Sequence, residues 1–197
     1  MLFPDNAVRP MEVYVIRHTP VADQENRCYG QIEVPLRDDY LSDFKKIKQL
    51  LPSNFDAVYC SSSNRCLQLA QYFSAPSMIP TPELLELSFG DWEGKFWEEI
   101  DREQLNAWMT DFVFTAPKNG ESLYAMNERV KFFLANLRSS KLHKILVITH
   151  AGVIRCIWSN LLEIPLSQLF KIPVGFFEVL AFNLENDARL DKIVRLT

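Results

Sequence analysis

The stretch Val13-Tyr14-Val15-Ile16-Arg17-His18-Thr19-Pro20, written VYVIRHTP, runs four apolar residues straight into a cation and an imidazole. Aromatic and β-branched residues in a short run bounded by a proline read as a buried strand, here Met11 to Ile16. An Arg and a His side by side at the carboxyl end of such a strand call for a partner.

The pattern repeats downstream. Leu41 to Leu51 reads as a helix, with Asp38 or Asp39 near its start and Pro52 ending it. Asp56 to Cys60 is a second strand. Asn64 to Phe73 is a helix with Leu69, Ala70 and Phe73 on one face and serines available as caps. Leu123, Met126, Val130, Phe133, Leu134 and Leu137 recur at three- and four-residue spacings and mark a long amphipathic helix. Ile145 to Ile148 is the most apolar strand, as expected of a central parallel one. Val153 to Leu162 is helical. Phe176 to Phe182 and Leu190 to Leu196 read as two strands joined through Glu185-Asn186-Asp187. Strands separated by helices predict an α/β fold: a three-layer α/β/α sandwich with a mostly parallel central sheet and helices on both faces.

The 197 residues, 48% hydrophobic, suffice for one sizeable core, and a single domain over 1–197 is expected. Between Pro82 and Pro117 the composition shifts, with three of the four tryptophans (Trp92, Trp97, Trp108) and Phe89, Phe96, Phe112 and Phe114. Trp97, Ile100, Leu105, Trp108, Met109 and Phe112 fit one helical face. Ordinary core packing and an aromatic-rich cover over one end of the sheet, residues about 83–117, are both open. The net charge of −4 excludes a global positive field for nucleic acid or an anionic membrane, so any bound anion needs local arginines. No stretch approaches the roughly 18 apolar residues of a membrane span. The amino terminus has no apolar core of a secretory signal. Cys28, Cys60, Cys66 and Cys156 lack zinc-site spacing and read as reduced thiols of a cytoplasmic protein.

Ligands of open α/β sheets sit beyond the carboxyl ends of the strands. At those positions stand Arg17 and His18; Ser61, Ser62, Ser63, Asn64 and Arg65; then Thr149 and His150, with Ala151-Gly152 opening a helix. The third histidine, His143, precedes its strand and belongs to the opposite edge. Two guanidinium groups repel unless an anion lies between them, and Arg forks onto phosphate oxygens. The helix start at Ala151-Gly152 adds main-chain donors. This points to a phosphate site. An imidazole with one nitrogen held protonated is a nucleophile toward phosphorus, and Arg17, Arg65 and His150 would stabilise the spread charge of the transferring group. A leaving alkoxide needs a proton; Glu86 in the stretch Leu84 to Gly94 is a candidate, in competition with Glu83, Asp91 and Glu93. A metal is disfavoured, because the arginines would oppose a divalent cation and no HxH or HExxH spacing is present.

These motifs resemble those of the histidine phosphatase superfamily, which includes the cofactor-dependent phosphoglycerate mutases. The family's Arg-His-Gly corresponds to Arg17-His18-Thr19, and its Arg after a serine-rich turn to Ser61-Ser62-Ser63-Asn64-Arg65-Cys66. Its Glu before Phe-Gly-x-Trp-Glu-Gly corresponds to Glu86 and Phe89 to Gly94, and its second His to His150-Ala151-Gly152-Val153-Ile154-Arg155. The resemblance implies that His18 is phosphorylated, that Arg17, Arg65 and His150 bind the phosphoryl group, and that Glu86 is the proton donor. It implies a metal-independent phosphomonoesterase acting on a small phosphorylated metabolite, with no cofactor. The run Arg17 to Val21, followed by Cys28-Tyr29-Gly30-Gln31 and Val34-Pro35-Leu36, looks most like α-ribazole-5′-phosphate phosphatases of cobalamin synthesis.

Two departures bear on the pocket: Thr19 replaces the usual Gly, and Ala151 stands where Gly is common. A β-branched residue resists positive φ, so the loop after His18 is expected to take another path. Arg27 and Tyr29 are placed to touch the organic part of a substrate. A mutase and a non-catalytic phospholigand-binding module are the alternatives; the short segment between Phe89 and Pro117 favours hydrolysis, since mutases of this family usually carry a longer cover. A homodimer is left open.

Overall fold

The computed structural model describes residues 10–22 and 26–196; most of the amino-terminal tail considered above lies outside them. Its strands and helices in chain order are β1 (Met11–Arg17), α1 (Tyr40–Leu50), β2 (Ala57–Cys60), α2 (Asn64–Gln71), β3 (Met78–Pro80), α3 (Arg102–Thr110), α4 (Leu123–Arg138), β4 (Lys144–Thr149), α5 (Ala151–Leu162), β5 (Val179–Leu184) and β6 (Lys192–Leu196).

Six strands form one sheet in the order β3-β2-β4-β1-β5-β6. The pairs β3–β2, β2–β4 and β4–β1 are parallel, whereas β1–β5 and β5–β6 are antiparallel. β4 is buried from Ile145 to Thr149 and sits at the centre. Side chains alternate across a strand, so each face carries its own core. Val13, Val15, Ile145 and Val147 pack with α4 and α5, including Met126, Val130, Ile154 and Ile157. Ile16, Val58, Leu146 and Ile148 pack with α1 and α2, including Phe44, Ile47 and Leu69. Helices therefore cover both faces of the sheet.

Register carries the fold's functional consequence. Arg17 is opposite Thr149 and Cys60 is opposite Ile148. The next residues of three parallel strands, His18, Ser61 and His150, consequently emerge together: His18 N–H bonds the Thr149 carbonyl at 2.9 Å and Ser61 N–H bonds that of Ile148 at 2.9 Å.

Several expectations are corrected. The aromatic stretch is not one helix: a 3-10 turn at Trp97–Glu99 is followed by Asp101, whose side chain caps α3 through Gln104 N–H at 3.0 Å. Ile100 is buried while Met109 is exposed, so the proposed common face does not exist. Ser63 precedes α2 but makes no side-chain cap bond; the amide of Asn64 is bonded instead by the Glu33 carboxylate. The strand expected from Phe176 begins at Val179, because Phe177 has a left-handed φ of 62° that breaks an extended run. β3, three residues on an edge, was too short to stand out.

Candidate active site

His18 follows β1 and is 2% exposed. Its Nδ1 donates to the Thr19 carbonyl at 2.7 Å. A carbonyl only accepts, so this bond places the proton on Nδ1 and leaves the Nε2 lone pair free. Burial, reinforced by the Arg65 and Arg17 cations, pushes the imidazole down to about 3, against a smaller opposing effect of the Thr19 bond. The ring is neutral near pH 7. Thr19, expected to force a different loop path, is not among the residues with positive φ; its carbonyl is the group that orients the nucleophile candidate.

His150 is fully buried, with its ring centroid 5.1 Å from that of His18. Its Nδ1 accepts from Arg65 Nη2 at 3.3 Å, and its Nε2 donates to the Ser61 hydroxyl at 2.8 Å. Desolvation, with His18, Arg65 and Arg17 nearby, holds this imidazole well below the usual histidine range. Arg65 is 1% exposed, an unusual position for a guanidinium, and is gripped by the carbonyls of Ile32 and Gly30. Arg17 donates to the Val174 carbonyl at 3.2 Å and stacks on Phe176 at 3.9 Å. Both arginines are thus fixed by carbonyls, which orient the cation without neutralising it. Arg17 Nε, Arg65 Nε and the Thr19 hydroxyl are buried without a hydrogen-bond partner. Buried donors of this kind around two uncompensated cations match the needs of a tetrahedral anion.

Glu86 closes the other side. Its Oε2 accepts from Gly152 N–H at 3.1 Å and its Oε1 from Leu87 N–H at 3.0 Å. A Cβ on Gly152 would meet Glu86 Oε1 at 2.2 Å, so glycine is what lets the carboxylate reach the start of α5. The Gly152 amide, expected to serve the anion, serves Glu86 instead. Arg129 secures the loop from below by donating to the carbonyls of Glu83 at 2.7 Å and Glu86 at 3.1 Å, and it pairs with Glu121. The rival carboxylates are differently engaged: Asp91 is exposed and bonded to Asn119, and Glu93 accepts four main-chain amides.

A cavity of about 140 Å³ adjoins Glu86, walled by Tyr29, Phe89, Met126, Arg155 and Phe170. Tyr29 is one of its wall residues. Arg27 is not among them; it donates to the Gly94 carbonyl at 2.9 Å and stacks on Phe96 at 3.9 Å. Ala151 opens α5 beside His150. A larger cavity of about 370 Å³ lies between α5 and β5, lined by apolar side chains such as Ile154, Trp158 and Leu180, and Glu178 is its one ionisable wall residue. The smaller cavity borders the buried polar cluster through Gly152, two residues after His150, and through Tyr29, whose ring centroid lies 5.9 Å from the Arg65 guanidinium. Phe176 and Arg155 were missed in sequence. Gly175 before Phe176-Phe177 is a turn signal that outranks the apolar run, and Arg155 is four residues after Ala151, on the same face of α5.

The geometry therefore places four basic side chains from three strand ends around one point, with a carboxylate at its margin. Comparison with known proteins finds named phosphatases. Adenosylcobalamin/alpha-ribazole phosphatase of Escherichia coli K12 is 29% identical over 184 residues, covering 88% of this chain and 91% of the relative. The protein of that name from Salmonella typhimurium is 30% identical over 173 residues, covering 83% and 86%. The crystal structure of the alpha-ribazole phosphatase from Shigella flexneri superposes with a TM-score of 0.85 at 26% identity, covering 94% of this chain and 96% of that one. The model of the histidine phosphatase superfamily (branch 1) matches residues 13–193, and the chain belongs to that family.

Proposed function

We propose that this chain is a phosphomonoesterase that passes the phosphoryl group through His18, with residues about 83–117 covering the alcohol side of the site. The observation that carries the reading is the bond from His18 Nδ1 to the Thr19 carbonyl in a ring that burial keeps neutral. Nε2 then has the lone pair with which to form a bond to phosphorus while the ester P–O bond breaks. Arg17 and Arg65 hold the equatorial oxygens, and their charge counts for more in a dry site than in water. His150 joins them once the dianion displaces the Arg65–His150 bond and a proton is held on Nδ1, with the Ser61 hydroxyl donating to Nε2. Protonated Glu86 gives its proton to the departing alkoxide. As a carboxylate it then takes one from the water that breaks the phosphorus–nitrogen bond and restores neutral His18. The cycle consumes one ester and one water and releases alcohol and phosphate.

The names of the relatives support α-ribazole 5′-phosphate as the substrate to try first. An apolar, aromatic-walled cavity beside Glu86 suits a flat alcohol portion of that kind. The test is phosphate release across α-ribazole 5′-phosphate, sugar phosphates, nucleotides and phosphoglycerates, with acid-quench trapping of the phosphoenzyme. His18→Ala is expected to lower kcat by about 10⁴-fold or more and to abolish the trapped phosphoprotein. Full turnover in that variant, or isomer interconversion of a phosphoglycerate outpacing phosphate release, overturns the reading.

A further inference from the structure

Glu93 lies outside the phosphate cluster, yet it makes four main-chain hydrogen bonds. Its Oε1 accepts from Gln31 N–H at 2.9 Å and Phe89 N–H at 3.0 Å, and its Oε2 from Gly30 N–H at 3.0 Å and Ile32 N–H at 2.9 Å. A carboxylate offers about four lone-pair positions, so Glu93 is saturated. Three of the four donors are consecutive residues of one loop, wrapped around a single anion. Gly30 can belong to that loop because it has no side chain: a Cβ there would lie 1.8 Å from the Leu87 carbonyl.

The opposite side of the same loop grips Arg65, through the carbonyls of Gly30 and Ile32. The peptide unit joining Gly30 to Gln31 does both jobs. Its N–H points at Glu93 and its C=O receives Arg65 Nη2, which also contacts His150 Nδ1 at 3.3 Å. Carboxylate, peptide dipole, guanidinium and imidazole therefore form one polarised row in a poorly solvated region. Hydrogen bonds in such a row strengthen one another. The negative charge of Glu93 stabilises the peptide orientation that aims the carbonyl at Arg65.

We infer that Glu93 is a positioning residue that sets the orientation of Arg65, and through it the affinity for the phosphoryl group, without touching substrate. The inference rests on the reading of Arg65 as a phosphate ligand given above. The test is a double-mutant cycle on inorganic phosphate binding, followed by titration calorimetry so that turnover is not needed. Glu93→Gln replaces one accepting oxygen by a donor facing two amides. It is expected to weaken phosphate binding about tenfold when Arg65 is present and less than about twofold in the Arg65→Ala background. A merely structural glutamate costs the same in both backgrounds, and equal losses overturn the inference. Arg65→Ala that leaves phosphate affinity unchanged overturns the underlying reading of Arg65 instead. Should Glu93→Gln fail to fold, Glu93→Asp, which keeps the charge but withdraws it by one methylene, supplies the same cycle.

Discussion

The two halves of the site are built on opposite principles. The proposed phosphate side, with His18, Arg65 and His150, is buried to within 2% of full enclosure and holds its polar groups on main-chain carbonyls and hydroxyls. The proposed alcohol side, beside Glu86, is a cavity walled by Tyr29, Phe89, Met126 and Phe170. The first is made of strand ends, whose positions are locked by the β1–β4 and β2–β4 registers. The second is contributed by loops and helix faces that meet only through tertiary packing. On the proposed reading, a group common to every phosphate monoester is handled by the strand ends. On the same reading, the group that varies between substrates meets the part whose walls can change without disturbing the sheet.

That contrast can be attacked from the boundary between the halves. Glu86→Gln is expected to lower kcat by about 10²- to 10³-fold for an alkyl phosphate, whose alkoxide needs a proton, but by less than about tenfold for p-nitrophenyl phosphate, whose phenolate leaves unaided. Equal losses on both esters would mean that Glu86 supports the phosphate side. A smaller effect sharpens the other half. Phe170 is 56% exposed, and its ring packs on Phe112 at 4.9 Å. Phe170→Ala should raise KM for an aromatic ester about fivefold while leaving inhibition by inorganic phosphate unchanged. A parallel loss of phosphate affinity would erase the division proposed here.

The weakest effect concerns stability. His18 has a folded value of about 3 against 6.5 when unperturbed, so the unfolded chain takes up a proton first as pH falls. The stability tied to neutral His18 is fully present above 6.5 and is lost as pH falls toward 3, and His150 acts in the same direction. The expected slope is about 1.4 kcal/mol per pH unit for one imidazole well inside that window. Thermal unfolding at pH 7.5 and 5.5 should show it, with a shallower slope in His18→Asn, which has no such proton to gain. An unchanged slope would show that His18 is not buried neutral.

Much of this was legible in the chain. Strand one was readable because four apolar residues and an Arg-His pair abut at Ile16-Arg17, and β4 because nothing polar interrupts Ile145 to Ile148. Local physics decides such elements. The break before α3 was not legible, since Ile100 and Met109 satisfy the same helical period and only packing tells that one is buried and the other exposed. The surroundings of Arg27 were not legible for a related reason: its stacking partner Phe96 is 69 positions away and meets it through an isolated bridge. The four competing carboxylates between Glu83 and Glu93 could not be ranked from their neighbours, because what separates them is which amides they meet.

The sequence by itself determined the reactive inventory and the edge of the sheet on which it would gather. An apolar strand ends where its polar residues begin, and parallel strands end on one side. Tertiary structure decided the tautomers, the partners and the division of labour. It turned Thr19 into the carbonyl that holds His18, spent Glu93 on a loop, and spent the Gly152 amide on Glu86. The last two depend on hydrogen bonds between residues 62 and 66 positions apart in the chain, and no local propensity encodes a contact of that kind.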